Sequence, residues 1–247
     1  YCWEQNDNAS SSQTGANSVA SATKATGPNW ISFSPSTNPT RLFPKLATIL
    51  AGQNVSGPLP GGDAGANTEA LSSVSRTLNF SLTVRDNAPY SSTAPVSVGQ
   101  TQFDDVVVTV SNTSGPFAVT APNTAVSWAG NSTQNITWSV ANTTASPVSC
   151  ANVKISLSTD GGNNFTTLVA STPNDGSESV TIPNTPSTTC RVKIEAVGNI
   201  FFDISNANFT ITAGSSCGTP AGLGSSGVTT SAATVSWTAV SGANSYD

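Results

Sequence analysis

Apolar residues recur with a period of two along most of this chain. In "RTLNFSLTVRDN", Leu78, Phe80, Leu82 and Val84 fall on one face, and in "FDDVVVTV" so do Val106, Val108 and Val110. "QNITWSVANT" aligns Ile136, Trp138 and Val140. "NVKISLSTDGGNNFTTLVAST" reads as two strands joined by a glycine-rich turn, and "SVTIPN", "TCRVKIEAVG" and "IFFDISNANFTIT" as further strands. Such alternation marks half-buried strands. Frequent turn residues and a β-branched, aromatic apolar set point to antiparallel β-sandwiches. The opening "YCWEQ" alternates too, with Tyr1, Trp3 and Gln5 opposed to Cys2 and Glu4. Having no turn and no initiating Met before it, it reads as an interior strand. One stretch breaks the period. In "PKLATILAG" and the Phe before it, Phe43, Leu46, Ile49 and Leu50 take 3–4 spacing, which predicts one or two helical turns ending at Gly52.

Three segments follow from this pattern. Residues 1–112 form a sandwich expected to lack its first strands and to carry a long Gly/Pro-rich loop insertion. Residues 113–214 hold a set of about seven strands, enough for a complete sandwich. Residues 215–247 carry two strand signals, "SSGVTT" and "ATVSWTAV", too few to bury a core alone.

Composition narrows the function. Charged residues are 9% of the 247, against roughly a quarter in ordinary domains. The net charge is -5, and the 8 Lys plus Arg are scattered, so no phosphate-binding footprint exists and nucleic acid is not an expected partner. No run of 18 apolar residues occurs, so the chain is not expected to span a membrane. The lack of His excludes, within these residues, a His-ligated zinc site and a Ser-His-Asp triad. Four Cys occur without a CxxC, which excludes a zinc ribbon. The composition fits an exported, extracellular or cell-surface protein, where disulfides persist. Cys150 lies just before one strand and Cys190 begins another, and a Cys150–Cys190 disulfide is expected. Closing its loop of roughly 40 residues would add about 3–4 kcal/mol in the chain-entropy model. Cys2 and Cys217 are unassigned.

The candidate chemistry is sparse. "STDGGNNF" fits the Asp-box pattern, in which Asp160 accepts backbone N–H bonds, Gly162 supplies positive φ and Phe165 covers the hairpin. With Ser158, these residues read as a structural turn. Asp86, Asp104 and Asp105 supply oxygens for a candidate Ca²⁺ site, the alternative being charge that protects an edge strand. Glu4, Glu69, Glu178 and Glu195 lie far apart, make no glycosidase pair and read as solvent-facing charge. Trp30, in the loop "GPNWISF", reads first as packing onto its own sandwich, with stacking on a glycan or anchoring a partner as the alternative. No cofactor is expected in these residues beyond that candidate calcium.

Resemblance adds to this. "YCWEQ", "LNFSLTVRDN" and "DDVVVTV" resemble strands of a PKD-like or Ig-like bacterial module. "ATVSW" with Trp237, and "GANSY" with Tyr246, resemble the first half of a fibronectin type III domain. The fold class implied is all-β, tandem Ig-like β-sandwiches, with the first and last incomplete at the chain ends. Together with "PTRLFPKLATILAG", "PFAVTAPN", "PNDGSESVTIPN" and "NIFFDISNANFTI", the chain resembles the region downstream of the catalytic domain in reprolysin-like secreted metalloproteases of the Bacteroidetes. That resemblance implies type IX secretion and contact with secretion-machinery or cell-surface proteins. Zinc is implied only for a catalytic domain upstream, since no HExxH stands in this chain. Three readings remain open: a non-catalytic spacer or binding region, part of a metalloprotease, or an adhesin component.

Overall fold

A computed structural model describes residues 1–214 and 219–240. The described fold is all-β and built mainly from antiparallel sheets. The first region contains β1 (Cys2–Gln5), α1 (Leu46–Leu50), β2 (Val55–Ser56), β3 (Glu69–Ala70), β4 (Arg76–Arg85) and β5 (Thr101–Val110). Its main sheet has the order β1-β4-β5, and β2 and β3 make a separate short ribbon. β1 is thus a paired strand at the sheet's edge, with Trp3 opposite Leu82. The alternation in β4 is real but only half used: Leu78 and Phe80 are buried, whereas Val84 is exposed. Helix α1 forms where the 3–4 spacing places it. Gly52, at φ +66°, ends it by donating its N–H to the Ile49 carbonyl at 2.8 Å.

No second sheet covers β4 among the described residues. The long loop does so instead, bringing Trp30 and Phe43 onto Leu78 and Phe80. A loop buried in this way carries polar backbone that must be satisfied. Glu69 meets that need. It is 0% exposed, and its Oε1 accepts from Arg41 Nη2 at 3.0 Å. Its Oε2 accepts from the Lys45 N–H at 3.0 Å and from Ser56 Oγ at 2.8 Å. Arg41 donates onward to the Trp3 and Ile31 carbonyls and lies 4.5 Å from the ring centroids of both Phe33 and Phe43. Glu69 is therefore the buried anchor of the loop and not solvent-facing charge. Glu195 is also partnered, by Lys154 and Lys193, and Glu178 by Thr172.

The second region contains β6 (Ala118–Ala121), β7 (Ser127–Ala129), β8 (Thr133–Ser139), β9 (Asn152–Ser158), β10 (Thr166–Pro173), β11 (Ser177–Thr181), β12 (Ser187–Ala196), β13 (Phe202–Ile204) and β14 (Phe209–Thr212). One sheet has the order β11-β8-β6. The other runs β10-β9-β12-β14-β7, with β13 also paired to β12. Ile136, Trp138, Val153, Ile155, Val192 and Ile194 fill the core shared by both sheets. Asp203 links the two, accepting the Val119 N–H at 2.7 Å, and burial raises its pKa. The last described strands, β15 (Ala221–Ser226) and β16 (Thr234–Thr238), form an antiparallel ribbon with every residue exposed.

Truncating Glu69 strands the Arg41 guanidinium in a buried site. Glu69→Ala is expected to cost about 3–5 kcal/mol of the first region's stability, read from urea unfolding followed by the fluorescence of Trp3 and Trp30.

Candidate interaction surface

Several of the expected site residues do not come together. Cys150 and Cys190 are both buried, separate thiols. The register shows why they are not a disulfide. Arg191 of β12 pairs with Ser158 at one end of β9, whereas Cys150 precedes Asn152 at the other end. About eight residues of extended strand span roughly 25 Å, far beyond the ~7 Å limit for Cα atoms of a disulfide. The Cys150 thiol instead bonds the Asn152 carbonyl at 3.2 Å, and the Cys190 thiol bonds that of Ser187 at 3.5 Å. Cys217 lies outside the described residues. Trp30 is 5% exposed and stacks edge-on against Phe43 at 5.3 Å, so it is a core residue and not an exposed binding platform.

The three candidate calcium ligands are spread along one hairpin. Asp104 and Asp105 oppose Leu82 and Ser81, so their side chains leave opposite faces of the sheet. Asp86 sits beside Gln100, four residues further along, and its Oδ1 accepts the N–H groups of Ala88 and Gln100 at 3.0 and 2.9 Å. Those bonds hold its pKa below the usual carboxylate value. No group of three metal-ligating acids, Cys or His converges among the described residues.

The Asp-box turn is built as its sequence suggests. Asp160 Oδ1 accepts from Ser158 Oγ and from the N–H groups of Asn163 and Asn164 at 2.7, 3.1 and 2.9 Å. Oδ2 accepts from Asn164 Nδ2 at 2.7 Å. Gly162, at φ +97°, donates to Ser158 Oγ at 2.9 Å. Phe165 lies under Lys193, 5.1 Å from the ring centroid. The Asn164 N–H and the Ser158 hydroxyl lead the causes that lower the Asp160 pKa from 3.8 to about 2. These bonds lock a hairpin and leave no open coordination position on Oδ1.

The β4–β5 hairpin, where Asp86, Asp104 and Asp105 already suggest an edge strand in sequence, is also an exposed apolar surface. Tyr90 is 74%, Phe103 71% and Val107 62% exposed, and Val96 and Val98 add to the same stretch. β5 is also a free edge among the described residues, since only β4 pairs with it. The signal was available in "FDDVVVTV". Its alternation places Val106, Val108 and Val110 on one face, and Val108 and Val110 pack on the core, yet the intervening Phe103 and Val107 are apolar as well. Asp105 is the polar break between them and accepts a bond from Ser81 Oγ, which in turn accepts from Asn6 Nδ2 at 2.6 Å.

Two outcomes check these assignments. Peptide mapping under non-reducing conditions should find no Cys150–Cys190 bridge, with both thiols alkylated only after unfolding. The Asp160 shift gives stability that is present above about pH 4 and lost as pH falls through 4 toward 2. Asp160→Asn should therefore melt below the wild type at pH 6, with the two melting curves converging near pH 2.

Among known proteins, the chain matches no protein-family model and no curated protein.

Proposed function

We propose that this chain is a non-catalytic spacer and binding region of a secreted or cell-surface bacterial multidomain protein, exported by the type IX route. The observation that carries the spacing role is how α1 is seated. Although it belongs to the first region, it lies on the second sandwich. The Leu50 carbonyl accepts from Arg191 Nη1 at 3.4 Å. The Leu50 side chain fills the space where a Cβ on Gly162 would stand. Gly52 abuts Asn206 in the same way. Arg191 is held for this contact by the Ser205 carbonyl and by Asn208 Oδ1. Burial lowers its pKa below the usual guanidinium value.

The geometry explains why the glycine turn matters beyond its own hairpin. Gly162 provides positive φ for the Asp160 turn, and its bare Cα receives Leu50 from the neighbouring region. Two regions joined only by a peptide linker would reorient freely. A side-chain socket between them favours a fixed spacing, which suits a region that holds other domains apart.

Small-angle scattering on the whole chain tests the spacing role. The wild type should give one narrow distance distribution. Leu50→Ala, which empties the socket without touching the turn, and Gly162→Val, which fills it, should both broaden that distribution and extend the maximum dimension. A wild type as broad as the variants would overturn the reading.

A further inference from the structure

The ladder fixes which backbone groups of β5 are free. Asn79 of β4 turns its carbonyl toward the β1 side, where the Asn6 N–H bonds it at 2.8 Å. Peptide groups alternate direction along an antiparallel strand, so the even residues of β4 face β5. They pair with Val108, Val106, Asp104 and Gln102. The odd residues of β5, from Phe103 through Asp105 and Val107 to Thr109, therefore aim their N–H and C=O groups outward. One local bond confirms the direction. The Asp105 N–H is taken by the carboxylate of its neighbour, Asp104 Oδ1, at 2.9 Å.

This edge has an unusual make-up. It is ten residues long and apolar on both sides of the strand, with Phe103 and Val107 on one face and Val106 on the other. Such an edge templates pairing with another strand. Its only charges are Asp104 and Asp105, at its centre and on opposite faces. Asp104 occupies the central outward N–H, so a neutral or acidic strand meets a blocked donor and two uncompensated carboxylates. A strand with basic side chains at the two facing positions draws Asp104 off that N–H and compensates both charges.

From this complementarity we infer that the outer edge of β5 binds an extended, alternately apolar peptide strand carrying Lys or Arg opposite Asp104 and Asp105. The main-chain ladder supplies affinity. The acid pair supplies selection, because a like-charged strand is repelled at the centre of the register. This deepens the binding half of the proposed function. Its failure leaves the spacing role standing, since scattering tests that separately.

The test uses the whole chain and two synthetic decapeptides of alternating Val and Thr. One carries two adjacent lysines at its centre and the other two glutamates. Amide hydrogen exchange is read residue by residue. The lysine peptide should slow exchange at Phe103, Asp105, Val107 and Thr109 by about tenfold or more, with less protection at high salt, while the glutamate peptide leaves them unchanged. Val107→Pro removes one outward N–H and no β4 bond, so it should abolish the protection while keeping the melting temperature. The double variant Asp104→Lys/Asp105→Lys should reverse the preference to the glutamate peptide, and it carries the test if the proline variant misfolds. Equal protection by both peptides, or none by either, overturns the proposal. Protection that grows with protein concentration alone also overturns it, because the occupant is then a second copy.

Discussion

The first region depends on the buried pairing of Glu69 with Arg41. A carboxylate and a guanidinium removed from water hold a fold together only if their remaining bonds are made. Here Glu69 accepts from Arg41, the Lys45 N–H and Ser56, while Arg41 reaches two carbonyls and two aromatic rings. The pair therefore gathers β1, the Trp30 loop, the start of α1 and the β2–β3 ribbon at one place. Trp30, Phe43 and Phe80 can pack together because this anchor brings the loop over the sheet.

The same device recurs at two other cations. Lys24 is buried and donates to the carbonyls of Ser18 and Pro28 at 2.7 and 2.8 Å. Arg76 donates to those of Lys24 and Gly27 at 2.9 and 2.7 Å, with Asp7 3.8 Å away. Burial lowers the pKa of both, and Arg76 adds to the lowering at Lys24. Residues 6–75 have little regular structure, so their inward carbonyls lack ladder partners. Three long cationic side chains supply donors instead. In the second sandwich the strands within each sheet satisfy one another's backbone, and the two sheets enclose a continuous apolar core. Between the regions, α1 joins the two modes of construction. The anchored loop presents Leu50, and the ladder-built sandwich presents Gly162 and Arg191.

Local periodicity was a good guide where the neighbours of a strand are other strands. It located β8, β9 and β12, α1 with its Gly52 stop, and the Asp160 turn, because each is fixed by contacts within a few residues or by one alternating face. It misplaced residues whose environment comes from afar. Glu69 looks like a surface charge in sequence and is buried against Arg41, 28 residues away. Cys150 precedes β9 and Cys190 lies within β12, and only the β9–β12 register shows that they stand near opposite ends of the pair. The β5 edge was half legible. Its residues were read as a strand, yet which of its two sides meets a neighbour is not encoded in its own alternation.

The sequence by itself determined the all-β class, the positions of most strands of the second sandwich, the short helix and the hairpin lock. These rest on local conformational preference and on a side-chain period that any half-buried strand must obey. Only the tertiary structure decided which charges are buried, which thiols are apart and which strand edge is left open. Those depend on the order and register in which strands meet, and on where a loop without its own ladder finds donors for its carbonyls.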